Sequence, residues 1–128
     1  MREPGEQLDD LARVVVDAAM EVHRQLGPGF IESVYEEALA VEFGMRAIHF
    51  ERQKPLAVSY KGHPVGEARV DFLVGETLIV ELKAVEKPLP VHKAQVISYL
   101  KARGTSLALL INFNERPLKD GIQRIVLT

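Results

Sequence analysis

The sequence predicts a mixed α/β fold in which helices cover a β-sheet. Three observations carry this prediction. Apolar residues recur with a helical period over residues 6–45, alternate with polar ones in short segments between residues 56 and 85, and form an almost unbroken run at Ser106–Phe113. The resulting order is helix, helix, three strands, helix and two strands, a pattern typical of layered α/β domains.

Two helices are predicted at the beginning of the chain. The first covers residues 6–26, and residues 1–5 are expected to form a flexible tail. The segment Gly27–Gly29 ends this helix, because glycine and proline do not propagate a helix cheaply. The second helix is predicted from about Phe30 to Met45, and acidic residues in its first turns suit the positive end of the helix dipole.

Three strands are predicted next, at residues 56–60, 67–74 and 78–85. The short links at Lys61-Gly62 and Gly75–Thr77 favour consecutive antiparallel hairpins, because glycine-containing turns of this length join neighbouring strands. This part of the chain is therefore expected to form an antiparallel three-stranded unit.

The last third of the chain predicts a helix and two strands. Residues Val91–Arg103 have a helical pattern, which Gly104 ends. The apolar run Ser106–Phe113 suits a central strand buried on both faces. Residues Ile122–Thr128 are predicted to form a short final strand.

Composition limits the class of protein. A length of 128 residues fits one domain, expected over residues 1–128. The chain has no cysteine, which excludes disulfides and thiolate metal sites and suits a reducing cytoplasm. The polar N-terminus does not resemble a secretory signal, and no apolar stretch approaches the roughly 20 residues that cross a bilayer. We expect a soluble, cytoplasmic protein without a membrane partner.

Charge is distributed unevenly along the chain. The net charge of −2 argues against a protein that coats nucleic acid by charge alone. Residues 1–51 carry 4 Lys/Arg and 11 Asp/Glu, whereas residues 52–128 carry 12 and 7. One interpretation is that an acidic helical layer covers a more basic sheet. The other is that residues 52–128 carry a surface that contacts phosphate groups. The cations Lys87, Lys93, Lys101 and Arg103 could likewise line a nucleic-acid path or form a solvated edge.

Charged residues interrupt two of the predicted strands. Glu81 and Lys83 lie in an otherwise apolar segment and, because strand side chains alternate, share one face. Asp71 interrupts the preceding strand in the same way. A three-residue loop at Gly75–Thr77 would place Asp71 opposite Glu81, whereas a two-residue loop would place it opposite Val80, on the wrong face. A joint role for these charges therefore requires the three-residue loop.

The opposed Asp71 and Glu81 predict a cation site. Directly opposed Cβ atoms lie about 4.5–5.5 Å apart, and two carboxylates this close repel unless a proton or cation lies between them. Oxygen ligands favour Mg²⁺ or Mn²⁺, which can activate water and neutralise charge on a phosphate. Lys83 could orient the attacking water or stabilise the pentavalent phosphate. The alternative is an internal salt bridge from Lys83 to either carboxylate, although buried pairs stabilise poorly compared with apolar replacements.

Side chains on two helices are candidates to join these charges. Glu32 lies in the first turn of the second helix, with Tyr35 and Glu36 on the same flank. Gln95 and Tyr99 are four residues apart and share one face of the third helix. The alternative for Glu32 is a solvent-exposed residue that complements the helix dipole, and for the pair on the third helix it is a polar flank.

Further polar residues have less specific interpretations. Arg69 lies two residues before Asp71 and could contact phosphate or pair with a carboxylate of the site. His92 shares the face of Gln95 and Tyr99. The remaining histidines do not have a ligand spacing and are expected to be structural or solvent-facing. These are His23, His49 and His63.

Several of these residues match a known family. The segment Gly29-x-x-Glu32-x-x-Tyr35 resembles the motif of the GxxExxY protein family, which is grouped with the PD-(D/E)xK nuclease superfamily. The superfamily pattern is a helix Glu, an Asp on one strand and Glu-x-Lys on the next. The matching residues, in the same order, are Glu32, Asp71 and Glu81-Leu82-Lys83. Glu-x-Lys alone is a weak signal, but the combination is more specific.

The resemblance extends over nearly the whole chain, from about Leu8 to the end. Gln95 and Tyr99 resemble the Gln-x-x-x-Tyr motif of the helicase-associated exonuclease branch. Val70 occupies the position of the proline in the superfamily's name. That proline has no chemical role, so the difference weakens the recognition more than the mechanism.

The resemblance implies a restriction-endonuclease-like three-layer fold, with a central mixed β-sheet of about five strands flanked by helices. It also implies a Mg²⁺-dependent (or Mn²⁺-dependent) nuclease that hydrolyses phosphodiester bonds by metal-activated water, with DNA favoured over RNA. The implied metal ligands are Asp71, Glu81 and the Leu82 carbonyl, with Glu32 as a direct or water-mediated ligand. Lys83 would assist the nucleophile. The residues expected to position substrate or support the site are Gln95, Tyr99, Tyr35 and Arg69.

Two other functions are compatible with the same fold. One is a non-catalytic module that binds nucleic acid or another protein. The other is a subunit that gains specificity from a partner or by forming a homodimer, because 128 residues offer little surface to grip a substrate.

Overall fold

A five-stranded mixed sheet organises the chain, as seen in a computed structural model that describes residues 4–127. The elements are α1 (Pro4–Leu26), α2 (Glu32–Met45), β1 (Phe50–Tyr60), β2 (His63–Val74), β3 (Leu78–Lys83), α3 (Pro90–Arg103), β4 (Leu107–Asn112), a 3₁₀ helix (Leu118–Gly121) and β5 (Ile122–Val126). The strands lie in the order β1-β2-β3-β4-β5. Only β3 and β4 are parallel, and the other neighbours are antiparallel. The predicted α/β class and five-stranded mixed sheet are confirmed.

The sheet has helices on both faces, as the alternation of its side chains requires. Phe72 and Val80 pack with α1 and α2 on one face, and Leu73 and Ile79 pack with α3 on the other. Strand β4 is buried along its whole length, which confirms the interpretation of its apolar run. No helix in residues 4–127 has both the length and the apolar content needed to cross a membrane.

Strand β1 begins at Phe50 rather than at Leu56, because residues 50–54 pair with residues 70–74 of β2. This stretch is mostly polar, so its sequence gives no strand pattern. Residues 4 and 5, expected in a flexible tail, belong instead to α1, and residues 1–3 lie outside the described residues. The 3₁₀ helix was not predicted.

Strand β3 ends at Lys83 rather than at Val85, because beyond Lys83 the side chain of Asn112, and not the backbone of β4, bonds to the chain. The N–H of Val85 donates to Asn112 Oδ1 at 3.0 Å, and Asn112 Nδ2 donates to the Val85 carbonyl at 2.9 Å. The buried amide thus satisfies both backbone groups beyond the end of the strand.

Tyr35 fastens the loop that precedes α2. Its hydroxyl donates to the Gly27 carbonyl at 2.6 Å and accepts from the Phe30 N–H at 3.1 Å. Its buried ring stacks on Phe113, with centroids 4.6 Å apart. Because Phe30 is held in the loop, α2 begins at Glu32 instead of the predicted Phe30.

Replacing Tyr35 by phenylalanine is expected to lower the free energy of unfolding by about 1–3 kcal/mol, because two partly buried hydrogen bonds, to the Gly27 carbonyl and from the Phe30 N–H, are lost. Urea unfolding monitored by circular dichroism measures this change. Tyr60→Phe is the matched control, since Tyr60 is 61% exposed, and it should change stability by less than about 0.5 kcal/mol. Equal losses in the two variants would contradict the role of Tyr35.

Candidate active site

The candidate site lies where β2 and β3 separate. Val74 pairs with Leu78 and Phe72 with Val80, which confirms the three-residue loop. Beyond these pairs the backbone hydrogen bonds between β2 and β3 stop, and two carboxylates accept from backbone N–H groups instead. The N–H of Asp71 donates to Glu81 Oε1 at 2.7 Å, and the N–H of Leu82 donates to Asp71 Oδ2 at 2.8 Å. Each acid is thus oriented by the backbone of the neighbouring strand.

The β1–β2 hairpin bends at Asp71, where β2 separates from β3. Val70 packs in the apolar cluster of α3, whereas Phe72 packs under α1 and α2, so the alternation of β2 is interrupted between them. Gln53 lies opposite Asp71 and has a left-handed backbone with φ of 48°. The hairpin therefore turns toward α3 beyond Asp71.

Burial makes the carboxylates of the site hard to ionise. Glu81 is only 5% exposed; burial first, and the neighbouring Asp71 carboxylate second, raise its pKa to about 8. Burial also raises the pKa of Asp71, although the hydrogen bond from Leu82 opposes the change. Burial followed by the Asp71 charge raises the pKa of Glu32, the first residue of α2. The protein alone does not fully compensate these negative charges.

Lys83 is half-buried beside the acids without joining them. Its positive charge acts to lower the pKa of Glu32, Asp71 and Glu81. In the part of the chain that the structure describes, however, no carboxylate oxygen lies within 4.0 Å of Lys83 Nζ. The internal salt bridge considered as the alternative is therefore not formed, and the ammonium group remains available for other contacts.

The donor set fits a hard divalent cation held by two carboxylates. Asp71 and Glu81 are adjacent, supply oxygen ligands and lack a paired cation, which suits Mg²⁺ because this ion is commonly bound by one or two carboxylates and several waters. Within residues 4–127 no three Asp, Glu or His side chains lie close enough to form a metal cage. Glu32 thus influences the pair through its charge without completing such a cluster.

Helix α3 brings Tyr99 to the site. Burial first, and then the charges of Glu81 and Asp71, raise the pKa of its phenol. Gln95 lies one turn earlier on α3 and is exposed. The structure therefore brings together predicted residues from α2, β2, β3 and α3.

Three other polar or aromatic residues have local contacts. Arg69 donates to the Gln53 carbonyl at 3.2 Å and lies 3.8 Å from Glu67, so it pairs with no carboxylate of the site. His92 Nδ1 accepts from the Leu89 N–H at 3.1 Å, at the start of α3. Tyr35 is buried, and its hydroxyl bonds to the loop that precedes Glu32.

Gln53 is a polar contact of the site that the sequence did not reveal. Its Nε2 donates to Glu36 Oε1 at 2.6 Å and to Asp71 Oδ1 at 3.3 Å. Arg52 donates to Glu36 at 2.8 Å and to Glu37 at 2.7 Å, which ties α2 to the corner of the hairpin. Residues 50–54 show no strand pattern, so the sequence did not place Gln53 near the site. The position of Glu36 on the same flank of α2 as Glu32 was the one hint that Glu36 lies near the site.

Two solved structures share this fold. The crystal structure of SSO0001 aligns with a TM-score of 0.56 at 19% identity, over 73% of this chain and 48% of its own. An alkaline exonuclease, LHK-Exo from Laribacter hongkongensis, aligns with a TM-score of 0.53 at 17% identity, over 100% of this chain and 73% of its own. The chain thus spans about half the length of SSO0001. Similarity at these identities establishes the fold.

The sequence itself places the chain in a family. No curated protein matches it significantly. A family model described as the PD-(D/E)XK nuclease superfamily matches residues 9–125. Nucleases of this superfamily generally use divalent metals, which agrees with the chemistry of the donor set. With the match covering nearly all of the sequence, the chain belongs to the PD-(D/E)XK nuclease superfamily.

Proposed function

We propose that this chain is a divalent-metal-dependent nuclease that hydrolyses the phosphodiester bonds of nucleic acid, with DNA favoured over RNA. The observation that carries the proposal is the pair of backbone-oriented carboxylates, Asp71 and Glu81, beside the unpaired ammonium group of Lys83. The similarity in fold to LHK-Exo, an alkaline exonuclease, supports this class of reaction.

Each residue has a defined task in the proposed reaction. Asp71 and Glu81 would hold Mg²⁺ or Mn²⁺, together with the Leu82 carbonyl and, through water, Glu32. A bound divalent ion would supply positive charge against the phosphate and lower the pKa of a water molecule. Lys83 would orient the attacking water or donate to a phosphate oxygen.

Tyr99 and Gln95 would position the substrate from α3. Tyr99 is close enough for the charges of Asp71 and Glu81 to act on its phenol, so a phosphate at a cation held by these acids would lie near both helix residues. Arg69, exposed at the corner of the hairpin, is a further candidate for phosphate contact.

The direct test is hydrolysis of single- and double-stranded DNA and RNA with Mg²⁺, with Mn²⁺ and with EDTA. Metal-dependent cleavage of any of these substrates is the expected result. Titration calorimetry distinguishes the alternative: salt-sensitive nucleic-acid binding without divalent-ion binding at millimolar concentration would identify a non-catalytic module.

Replacing Gln53 by alanine is expected to lower kcat about 10–100-fold, because Asp71 loses a hydrogen bond that orients its carboxylate. Steady-state kinetics should show a smaller change in KM than in kcat. Gln25→Ala is the matched control, since Gln25 bonds to Glu21 on α1 and is expected to leave both constants unchanged. A kcat of Gln53→Ala equal to that of the parent would contradict a positioning role.

Within the superfamily we infer membership of the GxxExxY protein family, from Gly29, Glu32 and Tyr35. The contacts of Tyr35 support this assignment, because they fix the loop that presents Glu32 at the start of α2. The expected cytoplasmic location and homodimer belong to the same proposal. Light scattering at several concentrations tests the homodimer.

A further inference from the structure

The two faces of the sheet carry opposite charge. Helices α1 and α2 contain nine Asp/Glu and two Lys/Arg, a net charge of −7. On the other face lie α3 and a segment we term the hairpin arm, residues 54–70, in which β1 and β2 pair only with each other. Together α3 and the arm contain six Lys/Arg and one Glu, a net charge of +5.

The hairpin arm and α3 form one continuous surface. Leu56 and Val70 of the arm share an apolar cluster with Val96 and Leu100 of α3, which fixes the arm against the helix. A cleft of about 380 Å³ runs between them, lined by Ala57, Val58, Ser59, Ser98, Lys101 and Ala102. Lys101 lines this cleft, and Lys93 lines a separate cleft at the start of the same helix.

The lysines of this surface keep their charge available. Counting only residues 4–127, Lys61, Lys93 and Lys101 are exposed and have no carboxylate oxygen within 4.0 Å. By contrast, Arg13 and Arg24 on α1 pair with acids of their own helix. On the basic surface Lys54 and Arg69 lie near Glu51 and Glu67, which leaves Lys61, Lys93 and Lys101 free to bind phosphate.

The candidate site opens toward the basic surface. Glu81 follows Ile79 by two residues in β3, and Ile79 packs on α3, so Glu81 points to the α3 side of the sheet. The Asp71 carboxylate lies beside it, because it accepts from the Leu82 N–H at 2.8 Å. A polymer that lies along α3 and the arm would bring a phosphate to these acids without crossing the acidic helices.

We propose that nucleic acid docks on α3 and the hairpin arm, with its phosphates held by Lys61, Lys93 and Lys101. The acidic face of α1 and α2 repels the polymer and so sets the side of approach. The choice of nucleic acid as the partner rests on the proposed function, and the choice of surface rests on the charges and the cleft.

The test is the salt dependence of oligonucleotide binding, measured by fluorescence anisotropy in EDTA so that binding is read without cleavage. Lys93→Glu and Lys101→Glu should each weaken binding about 3–10-fold and reduce the slope of log affinity against log salt by about 1. Lys119→Glu is the matched control, because Lys119 is exposed on the 3₁₀ helix, outside the proposed surface. It should leave affinity and slope unchanged.

The outcomes separate this proposal from the nuclease proposal. Equal losses in all three variants, unchanged binding in Lys93→Glu and Lys101→Glu, or an absence of oligonucleotide binding would each overturn the docking surface. Hydrolysis of bis(4-nitrophenyl) phosphate reports the chemistry separately, since so small a diester does not span the surface. Binding that depends on Lys93 and Lys101, without hydrolysis of any diester, would support the surface and reject the nuclease.

Discussion

Replacing Lys83 by alanine is expected to lower the rate of phosphodiester hydrolysis by at least about 100-fold, because the variant loses the ammonium group placed to orient the water or the phosphate. The fold should survive, since Lys83 has no carboxylate within ion-pair distance in residues 4–127 whose contact would be lost. Single-turnover cleavage of a labelled oligonucleotide measures the chemical step directly.

Asp71→Asn provides the companion variant. It keeps an oxygen that can accept from the Leu82 N–H at the position of Oδ2 but removes the charge that would hold a divalent ion. A loss similar to that of Lys83→Ala is expected, accompanied by weaker Mn²⁺ binding in calorimetry. Lys119→Ala, on the exposed 3₁₀ helix, should cleave like the parent. If Lys83→Ala and Asp71→Asn both cut as well as the parent, the site assignment is wrong.

The metal-free protein is expected to lose stability as pH rises from about 4.5 to about 8. Over this range Glu81 ionises in the unfolded chain, while burial and Asp71 keep it protonated in the folded state up to a pKa of about 8. The folded state then binds more protons than the unfolded state, so the free energy of unfolding falls with pH. The stabilisation is complete below the unfolded pKa and is lost as pH passes through the folded value.

The size of this loss is on the order of a few kcal/mol, because each unit of pKa difference corresponds to about 1.4 kcal/mol. The raised pKa values of Asp71 and Glu32 act in the same direction. Glu81→Gln should therefore be more stable than the parent at pH 8 in EDTA, and its stability should depend less on pH. Thermal unfolding in EDTA at several pH values tests both expectations.

Divalent ions should reverse the effect at high pH. Mg²⁺ or Mn²⁺ would replace the proton that Glu81 carries, so their addition at pH 8 should raise the melting temperature of the parent but not of Glu81→Gln. Glu67→Gln, whose side chain is 61% exposed, is the control and should unfold like the parent at every pH. A parent whose metal-free stability rises between pH 5 and 8 would contradict this account of Glu81.

The order of helices and strands, the superfamily and the grouping of Asp71, Glu81 and Lys83 could be predicted from the amino-acid sequence alone. These features follow from local rules: strand side chains alternate, and a three-residue loop sets which positions of β2 and β3 oppose each other. Two charges inside an apolar strand were visible because they break a pattern that burial otherwise enforces.

The contacts that join distant segments could not be predicted without the three-dimensional fold. The pairing of residues 50–54, the corner at Gln53 and the bond from Gln53 to Glu36 each depend on where β1 lies beside β2 and α2. The hydroxyl of Tyr35 likewise bonds to the loop before α2, a contact that its motif alone did not reveal. These residues contact partners that are distant in the sequence, and such contacts do not produce the apolar periodicity from which helices and strands are predicted.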